Sequence, residues 1–137
     1  GPKTIIKTDD VKELLGIVEI SQISQLVDLI SHKKQKEAIS FLNEMVDKGV
    51  DLQEFAKTLV YYLREALLLK INPEFLKPET SGFSEEELEK LKKQNSSFQE
   101  KDLQKILEFF IEAENKIKYS SIPQLPLELA IIDSCEI

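Results

Sequence analysis

The spacing of the apolar residues constrains the fold of this chain more than any other feature of its sequence. Apolar side chains recur every third or fourth residue over most of the 137 positions, and this period places them along one face of an α-helix. No segment alternates apolar and polar residues for long enough to form a half-buried strand. The chain contains only four glycines. The sequence therefore predicts an all-α fold.

Residues that typically start or stop helices divide the first third of the chain. A short helix is predicted from Thr8 to Gly16, and a second is predicted to be capped by Ser21 and to end near His32. The third is predicted to end at Gly49, where glycine can adopt the left-handed conformation that terminates a helix. The apolar stripe of the second helix is Ile23, Leu26, Val27 and Ile30, and that of the third is Ala38, Phe41, Leu42, Met45 and Val46.

The fourth helix, predicted over residues 51 to 71 with Asp51 as its N-cap, has apolar residues on more than one face. Its main stripe is Leu52, Phe55, Ala56, Leu59, Leu63, Ala66 and Leu67. Further apolar residues surround its C-terminal half, namely Val60, Tyr61, Tyr62, Leu68, Leu69 and Ile71. We expect one face of this helix to pack in the core and another to contact a partner.

The segment after the fourth helix combines helix breakers with two capping patterns. Prolines and a glycine predict a loop over residues 72 to 83. Ser84 with Glu87 matches the capping box of a polar helix of about ten residues, which we expect to be the least anchored part of the fold. Ser97 with Glu100 matches a second capping box, which would open a long helix to about Tyr119. Its inward residues are predicted to be Leu103, Ile106, Leu107, Phe110, Ile111 and Ile117, with Phe109 and Ala113 widening the stripe.

The last predicted helix is apolar on nearly every side. Pro123 and Pro126 stand where a helix would begin, and the run from Leu127 to Ile132 contains Glu128 as its one polar residue. We expect this helix to be largely buried. With no internal repeat and no low-complexity tract, the sequence predicts a single compact bundle of about five to seven helices.

Composition excludes several classes of function. The chain carries 25 acidic and 18 basic residues, a net charge of -7, so it lacks the basic surface of a nucleic-acid-binding protein. No apolar run approaches the roughly 18 to 20 residues needed to span a bilayer. Cys135 is the only cysteine, which excludes an internal disulfide and fits a cytoplasmic protein. We therefore expect no direct contact with nucleic acid or membrane.

The parts of an active site are also missing from the sequence. Glycines at positions 1, 16, 49 and 82 cannot form a phosphate-binding loop. His32 is the only histidine; it could be a phosphoacceptor on a helical bundle, but its place beside three lysines favours an ordinary role at a helix end. Carboxylates at Glu85, Glu86, Glu87 and Glu89 are interpreted as a solvated helix start. We predict that this chain is not an enzyme.

Four segments, taken in order, resemble one bacterial family. They read TDDVKELLG from Thr8, KGVD from Lys48, LVYYLREALLLK from Leu59 and SSIPQLPLELAII from Ser120. This arrangement resembles the gamma/tau subunit of the DNA polymerase III clamp loader. In that family a segment that contains D-V-x-x-L-L-G leads out of the ATPase lid, and a helix pair ending in G-x-D precedes a long helix that carries L-R. Glu128 matches the acid of the closing signature.

The resemblance implies that residues 8–137 form the third, collar domain, which assembles with other gamma/tau copies and with the delta and delta-prime subunits into a ring. Residues 1–7 would then be linker from the ATPase lid behind a tag scar, since Gly1-Pro2 has the form that a protease leaves. No cofactor is expected in this fragment, because the ATP, magnesium and zinc sites of the family lie in its other domains.

A collar requires helices with two apolar faces, and the fourth, the long and the last predicted helices provide them. The residues that we expect to contact partners are Tyr61, Tyr62, Leu68, Leu69, Phe109, Ala113, Leu127 and Ile131. Two alternatives remain open: an unrelated helical adaptor that binds a partner helix in a groove, and a histidine phosphotransfer bundle acting through His32.

Overall fold

The structure is a computed structural model that describes residues 18–137, and every regular element in that range is helical. The predicted helix from Thr8 to Gly16 and the predicted boundary at residues 7 and 8 lie outside the described residues. The helices are α1 (Ile20–Ser31), α2 (Gln35–Asp47), α3 (Leu52–Ile71), the single turn α4 (Pro78–Ser81), α5 (Glu85–Asn95), α6 (Glu100–Lys116) and α7 (Leu125–Cys135). Short 3-10 turns follow α3 (Pro73–Phe75) and α6 (Ile117–Tyr119). The all-α prediction is confirmed.

Helices α3 and α6 form the centre of the bundle. α3 packs most extensively against α6 and also contacts α1 and α5, whereas α6 packs against α7 on another side. α7 also contacts α1 and α2. The largest fully buried side chains are Tyr62, Phe55, Phe110, Ile23, Leu26, Leu42, Leu59, Leu63, Leu91, Leu103, Leu127 and Ile131. They come from every helix except the single turn α4, and together they form one core.

Three of the predicted helix boundaries are confirmed by their geometry. The Asp51 side chain accepts a hydrogen bond from the Glu54 N–H at 3.2 Å and so caps α3. In the predicted capping box, Ser84 Oγ accepts from the Glu87 N–H at 3.1 Å and Glu87 Oε1 accepts from the Ser84 N–H at 2.9 Å. Gly49, with φ of +86°, takes the left-handed conformation just after α2. These signals are local, which is why the sequence alone reveals them.

Two predicted starts are wrong. α1 begins after Glu19, whose N–H donates to the Gln22 side chain at 3.2 Å, so Ser21 lies inside the helix. α6 begins after Gln99 without a side-chain cap. Ser97 instead belongs to the turn that closes α5, where its N–H donates to the Gln94 carbonyl at 3.0 Å. Polar residues two positions apart can both stand near a helix start, and the packing of the chain decides where the helix begins.

The predicted loop at residues 72 to 83 contains two short helical turns and is tied to α3. Each turn has a proline in its first positions, where a missing N–H costs nothing. The Tyr61 hydroxyl donates to the Ser81 carbonyl. Phe83 is buried, and its ring lies 5.7 Å from that of Tyr61 and 5.9 Å from that of Tyr62. The segment therefore covers one side of α3 and extends the core.

Helix α5 is anchored, which corrects the expectation drawn from its polar composition. Leu88 and Leu91 are buried, Leu91 completely. Gln94 is also buried: its Oε1 accepts from the Tyr62 hydroxyl at 2.6 Å, and its Nε2 donates to the Ser24 carbonyl at 2.9 Å. A buried amide whose donor and acceptor are both bonded avoids the cost of an unpaired polar group and ties α5 to α3 and α1.

Candidate functional site

Five of the eight residues predicted to contact a partner lie in the core of the isolated chain. Tyr62, Leu69, Ala113, Leu127 and Ile131 are all 5% exposed or less. Each packs in the interior of the described chain, which corrects the expectation that these five residues contact a partner. The reason is physical: a helix that is apolar on several sides does not reveal which side faces inward until its neighbours are placed.

Tyr61, Leu68 and Phe109 remain available for contact, and their role at an interface stays a prediction. Tyr61 is 39% exposed, although its hydroxyl is bonded to Ser81 and its ring meets Phe83 edge to face. Burial, and then the neighbouring Glu65 carboxylate, raises the pKa of Tyr61 above its ordinary value of 10.0. Leu68 and Phe109 are half-buried.

Helix α7 presents an apolar face to solvent, which corrects the expectation that it is largely buried. Leu127, Ala130, Ile131, Ser134 and Cys135 point into the core. On the opposite side, Leu125 is 38% exposed, Leu129 is 51% exposed and Ile132 is half-buried. These three residues follow the i, i+4, i+7 spacing of one helical face. We call Leu125, Leu129 and Ile132 the α7 stripe.

A second apolar line runs along the C-terminal half of α3. Val60 and Leu67 are half-buried and Ile71 is 54% exposed, at positions i, i+7 and i+11, which lie on one side of a helix. Lys57 and Arg64 are exposed next to this line. We call Val60, Leu67 and Ile71 the α3 stripe.

Neither stripe was among the residues that sequence reasoning selected. The sequence did show that both helices are apolar on more than one side, which is typical of helices covered on two sides. What the sequence lacked was the identity of the covered side. Outside the two stripes, the exposed large apolar side chains in residues 18–137 are Tyr61, Phe75, Ile111, Tyr119 and Ile122. Ile111, at 41% exposed, corrects the prediction that it faces inward.

His32 occupies a helix end, as its ordinary interpretation predicted. It is the C-cap residue of α1. Its Nδ1 lies 2.9 Å from the Asp28 carbonyl oxygen and 3.9 Å from the Asp28 carboxylate. The ring lines a polar surface groove of about 570 Å³ together with Lys90 and Lys93. Glu85, Glu86 and Glu87 occupy the first turn of α5, where carboxylates favour the helix dipole.

The described residues offer little catalytic or metal-binding chemistry. Between residues 18 and 137, no group of three histidine, cysteine or acidic side chains could hold a metal ion. Burial raises the pKa of the Cys135 thiol above its ordinary value of 9.0, which disfavours the reactive thiolate. None of the helices in this range is both long and apolar enough to cross a bilayer.

Comparison with known proteins identifies the family. A family described as DNA polymerase III subunits gamma and tau domain III matches residues 6–137. The chain is 24% identical over 132 residues to DNA polymerase III subunit tau of Bacillus subtilis (strain 168), a match that covers 96% of this chain. It spans only 23% of the length of that relative.

The match confirms the resemblance carried by the four sequence segments, and it covers almost all of the chain. The matched family is the third domain of these subunits and not a catalytic one. In the described residues this domain is an all-helical bundle on which Ile71, Leu125 and Leu129 are exposed. The chain belongs to the family of DNA polymerase III gamma and tau domain III.

Proposed function

We propose that this chain is the collar domain of a gamma/tau subunit, holding neighbouring subunits side by side in the ring that loads the sliding clamp. The neighbours would be other gamma/tau copies and the delta and delta-prime subunits. Its family supports the proposal, as does the apolar surface that remains after its core is complete. In this proposal the chain contributes assembly, and the other domains of the subunit hold ATP, magnesium and zinc.

The α7 stripe is the observation that carries this proposal. Two of its side chains are more than a third exposed on a helix whose opposite face already lies in the core. Covering apolar surface is worth roughly 25 cal/mol per Å². A contiguous exposed apolar patch with a polar rim is a typical feature of a protein interface.

Charge supports a protein partner over a nucleic acid. The chain has a net charge of -7, and α7 with its C-cap residue carries Glu128, Asp133 and Glu136 but no basic residue. Such a surface repels phosphates. The exposed face of α7 is therefore suited to a protein surface and unsuited to DNA.

Neither alternative has a specific observation in its favour. A groove of about 460 Å³ between α1 and α2 has only Leu29 and Phe41 as large apolar lining, which is little for gripping a partner helix. His32 Nδ1 is turned towards the carbonyl of Asp28, and nothing in its surroundings marks it as a phosphoacceptor.

The test is the mass of the protein in solution, measured by light scattering alone and after mixing with a delta-prime collar domain. A collar predicts a mass that rises with concentration and a complex with delta-prime. A strict monomer that ignores delta-prime, other gamma/tau domains and delta would refute the assembly function. Binding to an unrelated amphipathic helix in their place would support the adaptor alternative.

A further inference from the structure

We infer that the loop between α6 and α7 docks onto the domain that precedes this one in the same subunit. The loop exposes three apolar residues, Tyr119, Ile122 and Pro123, which we call the loop tip. The matched family is a third domain, and the chain spans only 23% of its relative, so other domains share the polypeptide. The contact lies within one subunit and is independent of the proposed assembly of neighbouring subunits.

The loop tip concentrates exposed apolar side chains in a short stretch. Tyr119 is 83% exposed, the highest value among the large apolar residues of the described range, and Ile122 is 51% exposed. Pro123 is exposed as well. Apolar residues scattered singly over a surface are ordinary, whereas a cluster of them marks a contact site. Tyrosine is also among the residues that contribute most to binding at protein interfaces.

Hydrogen bonds within the loop fix its shape. Ser120 Oγ accepts from the Ile122 N–H at 3.2 Å and donates to the Ile122 carbonyl at 2.7 Å. The Leu125 N–H donates to the same carbonyl at 3.0 Å. Ile117 is buried, and the 3-10 turn that begins there packs against α3, α6 and α7. A preformed loop loses little conformational entropy on binding, so a small contact area suffices for a given affinity.

Two contacts show at which end of the bundle the loop tip lies. Lys33, in the turn between α1 and α2, donates through Nζ to the carbonyl of Ile137, just beyond α7. Asn43, further along α2, donates at 3.0 Å to Glu128, near the start of α7. A step forward along α2 is therefore a step back along α7, so the two helices are antiparallel. The start of α7, and with it the loop tip, lies at the end of the bundle where α2 finishes.

The polypeptide joins the described bundle at this same end. α1 and α2 pack together and are connected only by the short turn between Ser31 and Gln35, so they also run antiparallel. They are 12 and 13 residues long, or about 18 and 20 Å. The start of α1 is therefore level with the end of α2, on the side of the bundle that carries the loop tip.

A tether compensates for the small size of the loop tip. Three side chains bury far less than the roughly 800 Å² per partner of a stable interface between separate molecules. The family match begins at residue 6, and residues 6–17 reach no further than about 43 Å at full extension. Short tethers give effective concentrations on the order of millimolar, at which a contact with a dissociation constant of about 1 mM is half occupied.

Charge specifies the surface that receives the loop tip. Lys118 is exposed, and its Nζ lies 5.8 Å from the centre of the Tyr119 ring. No other charged residue occurs between Lys118 and Glu128 in the sequence. We expect an apolar pocket with an acidic residue at its edge, because opposite charges across an interface guide docking.

The experiment is hydroxyl-radical footprinting, measured by mass spectrometry, on this chain and on the whole subunit that contains it. Oxidation of Tyr119 should be at least about twofold slower in the whole subunit, because a half-occupied site is exposed only half of the time. Phe75 is the internal control: it is 55% exposed and follows α3, at the opposite end of the bundle, so it should be oxidised equally in both. Equal oxidation of Tyr119 in the two proteins overturns the inference.

Dilution separates a contact within one subunit from a contact between copies. Protection of Tyr119 by a tethered domain does not depend on protein concentration. Protection that disappears on dilution assigns the loop tip to another copy and overturns the inference. Light scattering of this chain tests the proposed assembly separately, so either idea can fail without the other.

A variant of the whole subunit tests whether the loop tip holds the preceding domain. Tyr119→Ser combined with Ile122→Ser should increase the radius of gyration measured by small-angle X-ray scattering, because the domain is released. Phe75→Ser, the matched control at the other end, should leave the radius unchanged. If circular dichroism shows that the double variant is unfolded, Tyr119→Ser alone replaces it with the same expectation. A folded loop-tip variant with an unchanged radius overturns the inference.

Discussion

Helices α5 and α7 are each eleven residues long, but they differ in what they expose. α5 turns polar residues to solvent, whereas α7 leaves large apolar side chains exposed. α5 buries two leucines and two polar residues, Gln94 and Asn95, and turns charged residues to solvent. α7 buries five residues and still exposes Leu125 and Leu129. The outward face of α5 is therefore polar, whereas α7 leaves apolar side chains exposed on the described part of the chain, a feature typical of interaction surfaces.

The difference shows that apolar content does not measure how firmly a helix is held. α5 is joined to α3 by the Tyr62–Gln94 hydrogen bond and by Lys70 Nζ, which donates to the Asn95 carbonyl at 3.2 Å. These bonds anchor a helix that has few apolar residues. The outer face of α7 carries Leu125 and Leu129, which are only partly covered within the chain and so contribute less to folding than its buried residues.

The largest expected effect tests whether α5 is as firmly held as α7. Leu91→Ala and Ile131→Ala each empty a fully buried position, so each should lower the free energy of unfolding by about 2–5 kcal/mol. Urea denaturation followed by circular dichroism measures both. If Leu91→Ala cost far less than Ile131→Ala, α5 would be a weakly attached helix and the comparison would fail.

A smaller effect is expected from the polar anchor of α5. Tyr62→Phe removes the hydroxyl that donates to Gln94 and leaves a buried amide oxygen without its donor. The loss should be about 1–3 kcal/mol in the free energy of unfolding. Tyr61→Phe serves as the control, because its hydroxyl bonds a backbone carbonyl of the α4 turn and not α5. Equal hydrogen exchange at α5 in the wild type and Tyr62→Phe would contradict this anchor.

The raised pKa of Tyr62 predicts how the free energy of unfolding depends on pH in the alkaline range. Burial raises the pKa of Tyr62 above its ordinary value of 10.0, so above that pH the unfolded chain loses a proton that the folded chain retains. Stability should therefore be unaffected by this group below about pH 10 and should fall as the pH rises further. Tyr62→Phe should reduce the slope. An unchanged slope would show that Tyr62 has the same pKa in the folded and unfolded chain. The raised pKa of Tyr61 accounts for part of the pH dependence that remains in Tyr62→Phe.

The smallest effect is expected on the outer face of α7. Leu129 is 51% exposed, so Leu129→Gln should change the free energy of unfolding by no more than about 0.5 kcal/mol. Thermal unfolding of a dilute sample measures this change without interference from association. A loss comparable to that of Ile131→Ala would place Leu129 in the core and remove the distinction between the two faces of α7.

Much of the fold could be predicted because its signals are local. The period of the apolar residues located the helices, and Asp51, Ser84 and Gly49 marked true ends. The family was also recognisable, since its short motifs keep their order along the chain. The start of α1 was misplaced because Glu19 caps it two residues before Ser21, and that of α6 because it begins after Gln99 without a side-chain cap.

The candidate site could be predicted only in part. Sequence reasoning selected residues on α3, α6 and α7, and five of those eight residues are buried in the core. Leu127 and Ile131 are buried while Leu129 between them is exposed, and all three are apolar. No local property separates them.

By itself, the sequence determined that this protein is helical, where most of its helices lie and to which family it belongs, because these follow from spacing and from caps within a few residues. The tertiary structure decided which side of each helix is inside. That choice depends on groups far apart along the chain, such as Tyr62 with Gln94 and Asn43 with Glu128. Packing of α7 against α1, α2 and α6 buries one apolar face and leaves Leu125 and Leu129 exposed on the other.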